Sequence, residues 1–219
     1  MKVKLKAHSI PSHDSVGNSI LDLISYCARV SNPSNQSNKE TSEKLIRYLI
    51  KHKHWSPFEM ASVCLEITTT RDIARQILRH RSFSFQEFSQ RYADPTKDLN
   101  FVMRQARLQD NKNRQNSIEV KDEYIQKNWK LRQSLVMQEV YEAYNWAIAK
   151  GIAKEQARAV LPEGNMESRL YMNGTIRSWI HYIELRSGPE TQKEHREVAV
   201  ACAEAIEPIF PMIMEFISE

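Results

Sequence analysis

Apolar residues recur along this chain in two rhythms. Ile20, Leu21, Ile24 and Ala28, then Leu45, Ile46, Leu49 and Ile50, keep helical spacing and predict two helices, the second stopping at residues 53–57. Val63, Leu65 and Ile67 alternate with Cys64 and Glu66, the two-residue period of a strand over residues 61–69. A helical stripe of Ile73, Ala74, Ile77 and Leu78 follows at once, over residues 73–81. Phe83, Phe85 and the polar residues between them read as extended, leading into Tyr92, and residues 94–117 are polar, aperiodic and long enough for a functional loop. Residues 123–150 form the longest helical candidate, with Tyr124, Leu131, Leu135 and Tyr141 on roughly one side and Gly151 as its stop. Shorter helices over 154–161, 175–186 and 191–205, a strand near 169–172 and a last helical turn after Pro208 complete the pattern. Lys2, Lys4 and Lys6 alternate with Val3, Leu5 and Ala7 as in an edge strand, and the Ser/Asn-rich residues 31–38 are the one stretch that reads as disordered. Helices interleaved with a few short strands predict an α+β fold: a small, largely antiparallel sheet packed by long helices. No boundary divides it, so residues 1–219 are expected to form a single domain.

Composition narrows this further. The chain has 41% hydrophobic and 26% charged residues, enough to bury one sizeable core. Only five glycines and eight prolines occur, too few for a turn-rich all-β protein. The longest apolar run, residues 198–203, is far short of the roughly 18 residues of a membrane span. The first residues carry no signal-peptide pattern, so a soluble cytoplasmic protein is expected. Cys27, Cys64 and Cys202 are odd in number, widely spaced and set in apolar contexts, which reads as three reduced core thiols. The net charge of +4 is unevenly placed: residues 71–114 carry ten Lys/Arg against five Asp/Glu. A basic segment on an otherwise balanced chain points to a localised anionic ligand.

The glycines stand at 17, 151, 164, 174 and 188, so neither G-x-G-x-x-G nor a Walker loop can be written, and any phosphate must be held by side chains or helix ends. H-E-x-x-H, E-x-x-H and C-x-x-C are absent, and His52 with His54 reads as an exposed helix end, so no metal is expected. The informative stretch is R-H-R-S-F-S-F-Q-E-F-S-Q-R-Y, residues 79–92. On a helical wheel Arg75 and Arg79 oppose the apolar stripe, Gln76 and His80 flank it, and Arg81 falls within it. Arg81 therefore marks a helix already ended, or meets an anion in a partly buried site. If the next segment is extended, Glu87, Ser89 and Arg91 share one face: an acceptor, a hydroxyl and a forked donor, suited to a ligand with a phosphate and a polar ring, or merely a solvated side. His54-Trp55-Ser56-Pro57-Phe58-Glu59 lies at a helix-to-strand junction and reads equally as a capped turn. Arg158 sits on a short apolar helix, and Arg177, His181 and Glu184 line the second face of a helix whose core stripe is Ile176, Trp179, Ile180 and Ile183.

The Arg79-His80-Arg81 triplet followed after seven residues by Ser89 resembles the signature of the flavin-dependent thymidylate synthases. H-W-S-P-F-E at 54–59, Q-A-R-A-V-L-P at 156–162 and I-R-S-W-I-H-Y-I-E-L-R at 176–186 stand in that family's order and approximate spacing. The resemblance implies reductive methylation of dUMP to dTMP, with methylenetetrahydrofolate as carbon donor, FAD as carrier, NAD(P)H as reductant, and a homotetramer whose sites are shared between subunits. By position it implies FAD contacts at Ser56, Arg79, His80, Arg81, Glu87, Thr175, Arg177 and His181. It implies nucleotide contacts at Gln76, Arg79, Arg158 and Arg186 and along the turn Glu87, Phe88, Ser89, Gln90 and Arg91. The positions implied at the chemistry are Arg186, which promotes ionisation of the uracil ring, His54, near flavin and folate, and Ser89. Thr175 stands where many members have Asn, and Pro189-Glu190 where many have a His.

The residues themselves agree in one respect. Two phosphorylated ligands need several fixed cations, and this chain supplies arginines without a glycine cradle. Permanently protonated arginines suit an anionic uracil, whereas Ser89 has no adjacent base in the motif and the thiols sit in apolar contexts, so no covalent enzyme nucleophile is assigned. Neither membrane nor nucleic-acid partners are expected. Two other readings are a nucleic-acid-binding module, with Phe83, Phe85, Phe88 and Tyr92 as stacking platforms among the arginines, and a non-catalytic nucleotide sensor.

Overall fold

The computed structural model describes residues 1–218. Four strands, β1 (Lys2–His8), β2 (Ser62–Thr70), β3 (Ser84–Glu87) and β6 (Glu167–Thr175), form an antiparallel sheet in the order β1-β2-β6-β3. The predicted strand over 61–69 becomes one of its two central strands, and the lysine-rich first strand is an edge. β2 and β6 pair over nine residues, from Ser62 opposite Thr175 to Thr70 opposite Glu167. Val63, Leu65 and Ile67 from β2, with Leu170 and Met172 from β6, are fully buried on one face. That alternation pins the register, because a one-residue slip would turn every one of them to the other side. Helices α1 (Ile20–Ala28), α2 (Ser42–Lys51), α7 (Ile176–Arg186) and α8 (Lys193–Ile206) close over this face through Ile24, Ile46, Trp179, Ile183, Val198 and Cys202. Trp179 donates its indole N–H to the Val63 carbonyl at 3.0 Å, so the largest buried side chain leaves no polar atom unmet. Gly174 is required by packing: a Cβ there would lie 2.4 Å from the Phe83 ring.

Two chain reversals position the chemistry. β2 runs straight into α3 (Arg71–Ile77) and β6 straight into α7. Because the strands are antiparallel, the two helices leave from opposite ends of the ladder, and their far ends meet where Arg186 reaches His80.

Several expected boundaries shift. α3 ends at Ile77 with Leu78 as its cap, not at residue 81, so Arg81 lies beyond the helix on an exposed turn and breaks no apolar stripe. Residues 94–117 hold a short helix α4 (Pro95–Asp98) and the first strand of a hairpin, β4 (Arg107–Gln109) with β5 (Ser117–Glu119). Residues 31–38, expected to be disordered, contain a 3-10 turn at Pro33–Asn35, and the Arg29 guanidinium reaches back to the Asn38 carbonyl and to Thr41 Oγ1. Residues 154–161 divide into α6 (Lys154–Ala157) and a 3-10 turn. The 27-residue α5 (Glu123–Ala149) turns its expected apolar side away from the rest of the chain. Gln133, Met137, Tyr144 and Ala147 face the protein, while Tyr124, Leu131, Leu135 and Tyr141 are each about half exposed or more. The buried side is chosen by a polar anchor: Gln133 exchanges hydrogen bonds with the Arg104 backbone at 2.8 Å in both directions. No described helix is long and apolar enough to cross a membrane.

Candidate active site

Beyond α3 the triplet Arg79-His80-Arg81 fans out. Arg79 and Arg81 are exposed, and no side-chain hydrogen bond or ion pair engages either among the described residues. His80 turns inward, edge-on to the Tyr182 ring at 4.9 Å, and its Nε2 accepts a hydrogen bond from Arg186 Nε at 2.9 Å. Burial, then the Arg186 charge and His181, pushes its pKa down to about 4, so the ring is neutral at physiological pH with its proton on Nδ1. A neutral acceptor thus fixes one edge of the Arg186 guanidinium, and the two Nη groups make no hydrogen bond among the described residues.

The other face of α3 borders a cavity of about 390 Å³ lined by Arg71, Arg75, Gln90, Glu155, Arg158 and Glu163. Arg71 and Arg75 stand one turn apart and both reach Glu87, at 3.6 and 3.3 Å, while Ser168 Oγ donates to the same carboxylate at 2.7 Å. Glu163 lies 3.5 Å from Arg71 and 3.7 Å from Arg75. Two of the three buried side-chain atoms without a hydrogen-bond partner among the described residues, Arg71 Nη1 and Gln90 Nε2, belong to residues lining this cavity. A buried donor left unmet is costly, and here both donors belong to groups that bind anions or carbonyls well. Burial, together with Arg75 and Arg158, outweighs Glu87 and lowers the pKa of Arg71. Glu87 and Glu163 offset part of this cationic charge, and the unmet donors of Arg71 and Gln90 are what the cavity offers an anion.

A third feature is a groove of about 400 Å³ between the turn before β2 and α7, lined by Trp55, Glu59, Ser82, Arg177, His181 and Glu184. Arg177 pairs with Glu59 across it. The second face of α7 therefore lines a groove.

These are the features a family signature should occupy, and comparison with known proteins decides which family. Residues 18–212 match the family model described as thymidylate synthase complementing protein. A protein of Paramecium bursaria Chlorella virus 1, named probable flavin-dependent thymidylate synthase, is 50% identical over 213 residues, covering 97% of both chains. The flavin-dependent thymidylate synthase of a Synechocystis strain is 51% identical over 191 residues, 87% of this chain and 86% of its own. That of a Thermus thermophilus strain is 33% identical over 191 residues, 86% of this chain and 68% of its own. The chain belongs to the flavin-dependent thymidylate synthase family.

Set against the signature of that family, the structure groups its positions unevenly. Gln90, Arg158 and, through its ion pairs, Glu87 gather at the cavity. Gln76, His80 and Arg186 gather at the other face of α3. Arg177 and His181 share the groove. Ser56 instead borders a separate hollow with Tyr26, Cys27 and Pro57, and His54 is exposed, edge-on to Tyr48 at 6.2 Å. β3 ends at Glu87, so Ser89 and Arg91 do not continue a strand face as expected. They form a turn in which Ser89 Oγ accepts from the Arg91 N–H at 3.3 Å, and Arg91 pairs with Glu155 at 3.2 Å. The turn follows because the Phe88 N–H still bonds the Arg169 carbonyl, after which Tyr92 and Ala93 fold back onto Ser89. Thr175 spends its hydroxyl on the Ser178 N–H as the N-cap of α7, a task Asn performs equally well.

Sequence reasoning missed Arg71, Gln192, Glu194 and His195. Arg71 was detectable, since it precedes Arg75 and Arg79 at intervals of four. The others carry no local signal: Gln192 and His195 meet Gln76 across 116 and 119 residues.

No group of metal-holding side chains occurs among the described residues. Burial raises the pKa of all three free thiols, and Cys202 is fully buried. Replacing Cys27, Cys64 and Cys202 together with alanine is expected to leave turnover within a few-fold of the parent, provided thermal melting shows an intact fold. Loss of all turnover in a folded triple variant would restore a thiol mechanism.

Proposed function

We propose that this protein reductively methylates dUMP to dTMP, using methylenetetrahydrofolate as carbon donor, FAD as carrier and NAD(P)H as reductant, with residues 1–219 as one catalytic domain. The observation that carries the reading is the pair of orphaned donors, Arg71 Nη1 and Gln90 Nε2, at a cavity that also holds Arg75 and Arg158. It fits a phosphate monoester in a chain without a glycine cradle.

FAD needs cations for its pyrophosphate and a surface for its rings. Arg79 and Arg81, exposed and unengaged among the described residues, and the Trp55–Arg177–His181 groove meet both needs. Arg79, His80, Arg81, Arg177 and His181 would hold it, with Ser56, Glu87 and Thr175 as further family positions. When bound, FAD supplies the redox chemistry and carries the one-carbon unit. The chain's own work is electrostatic. Arg186, fixed at Nε by neutral His80, presents both Nη groups to the uracil and favours its ionised form, since a guanidinium stabilises negative charge without surrendering a proton. Glu87, steadied by Ser168, Arg71 and Arg75, accepts from ligand donors, and Gln76, Phe88 and the backbone of the turn position the nucleotide. Ser89 keeps its hydroxyl proton free for donation, while no neighbouring base activates it for attack. His54 completes the folate side.

A homotetramer with shared sites is part of this proposal. The exposed Leu131, Leu135 and Val136 on α5 support burial against another copy. Three free thiols without a disulfide fit a reducing, cytoplasmic setting.

The nucleic-acid alternative loses support. Phe83 is buried against Trp179, Phe85 and Phe88 are half-buried, and Tyr92 alone of the four rings is exposed. Mixing purified protein with FAD and then dUMP should give a flavin spectrum that shifts on nucleotide addition, followed by release of the uracil C5 hydrogen once all cosubstrates are present. A protein that takes up no FAD and releases no hydrogen would overturn the reading, and binding without turnover would make it a sensor.

A further inference from the structure

Behind the nucleotide face of α3 runs a chain of hydrogen bonds whose direction is set at one end. Glu194 Oε1 and Oε2 receive Arg107 Nη2, at 2.7 and 2.9 Å, so this carboxylate is ionised and can only accept. Gln192 must therefore turn its Nε2 toward Glu194, at 2.9 Å, and its Oε1 toward Gln76. Gln76 Nε2 donates to that oxygen at 2.9 Å, which leaves Gln76 Oε1 facing His195 Nδ1 at 3.1 Å. An amide oxygen only accepts, so the proton of His195 sits on Nδ1, and Nε2 accepts from the Tyr182 hydroxyl at 3.1 Å. His195 is fully buried, and burial, then Arg186 and His80, keeps it neutral, as this arrangement requires.

We propose that His195 is a positioning residue: the sense of the Gln76 amide is set from Glu194 through Gln192, and the Nδ1 proton of His195 holds Gln76 Oε1 in that sense, so that the second Nε2 hydrogen and the free lone pair of Oε1 meet the nucleotide in one defined way. The same chain ties that amide, through Gln192 and Glu194, to Arg107 on the β4–β5 hairpin. An amide can rotate by half a turn at little steric cost, and only its partners decide which end faces the ligand. With Gln192 Oε1 fixed as an acceptor, the reversed orientation would set acceptor against acceptor there and would force His195 to shift its proton to Nε2. The proposal rests on the reading of Gln76 as a nucleotide contact.

The test uses the FAD-loaded enzyme and three variants, His195→Leu, His195→Asn and Gln76→Ala. Asparagine keeps a donor close to the Nδ1 position and gives up only the Tyr182 partner, so it is the rescuing substitution. Nitrogen-15 NMR of the parent imidazole should report a neutral ring protonated at Nδ1. His195→Leu should raise KM and Kd for dUMP about tenfold with FAD affinity close to the parent, and His195→Asn, which lowers the melting temperature similarly because it too leaves the Tyr182 hydroxyl unmet, should recover most of the dUMP loss. The double variant Gln76→Ala/His195→Leu should bind dUMP no worse than Gln76→Ala alone. A ring protonated at Nε2, or equal losses in the Leu and Asn variants, would overturn the proposal. If Gln76→Ala binds dUMP like the parent, the nucleotide role of Gln76 fails instead, and the proposal falls with it even though the NMR signature stands.

Discussion

Replacing Arg186 with alanine should lower kcat by about two to three orders of magnitude while changing dUMP affinity far less. The expectation follows from how the guanidinium is held. His80 accepts at Nε and nothing else engages the Nη groups among the described residues, so the charge is aimed before the ligand arrives. Removing one such prearranged donor from a developing anion typically costs a factor of about 10²–10³ in kcat. In the proposed function the phosphate is held at the separate Arg71–Arg75–Arg158 cavity, so KM is expected to move little. Arg186→Lys should recover only part of the rate, because an ammonium cannot be tethered at one edge and still present two forked donors. The histidine gives a second readout. The Arg186 charge is among the causes that hold His80 at about 4, so His80 should titrate higher in Arg186→Ala, in the direction of 6.5. In the parent, neutral His80 contributes no break to the rate profile above about pH 5. Equal losses of affinity and turnover would mean that Arg186 is only a binding residue.

Arg71→Met should weaken dUMP binding by one to two decades at nearly unchanged kcat. Its Nη1 is buried without a hydrogen-bond partner, and the side chain is only 12% exposed. A charge-assisted hydrogen bond to phosphate is worth roughly 1.5–3 kcal/mol, which converts to that loss of affinity. Methionine retains the length of the apolar stem, and Glu87 keeps Arg75 and Ser168, so the fold should survive. Deoxyuridine, which lacks the phosphate, should bind parent and variant alike. An unchanged dUMP Kd would show that the unmet donor serves a different ligand.

The sheet and its core were legible because their signals are local. Val63, Leu65 and Ile67 alternate strictly, and Ile176, Trp179, Ile180 and Ile183 keep helical spacing, so the buried face of the strand and of the helix follows from periodicity alone, whereas the pairing of β2 with β6 does not. Periodicity finds an apolar side but does not say what covers it. Gln133 turns α5 so that Leu131 and Leu135 face outward, a result no hydropathy pattern contains. The site shows the same division. Arginines spaced by four along α3 announce a cationic face, but which residues share a cavity depends on pairings such as Ser168 with Glu87 across 81 residues. The His80–Arg186 contact spans 106 residues and joins two motifs that the sequence presents separately. Distant pairings of this kind leave no trace in spacing.

The most direct test of the electrostatic account is the proton on N3 of the bound uracil. With nitrogen-15-labelled dUMP on the FAD-loaded enzyme, the N3 signal should titrate at a lower pH than in free dUMP, and the shift should vanish in Arg186→Ala while the nucleotide stays bound. A bound uracil that titrates as it does in free solution, or a shift that survives the loss of Arg186, would contradict it.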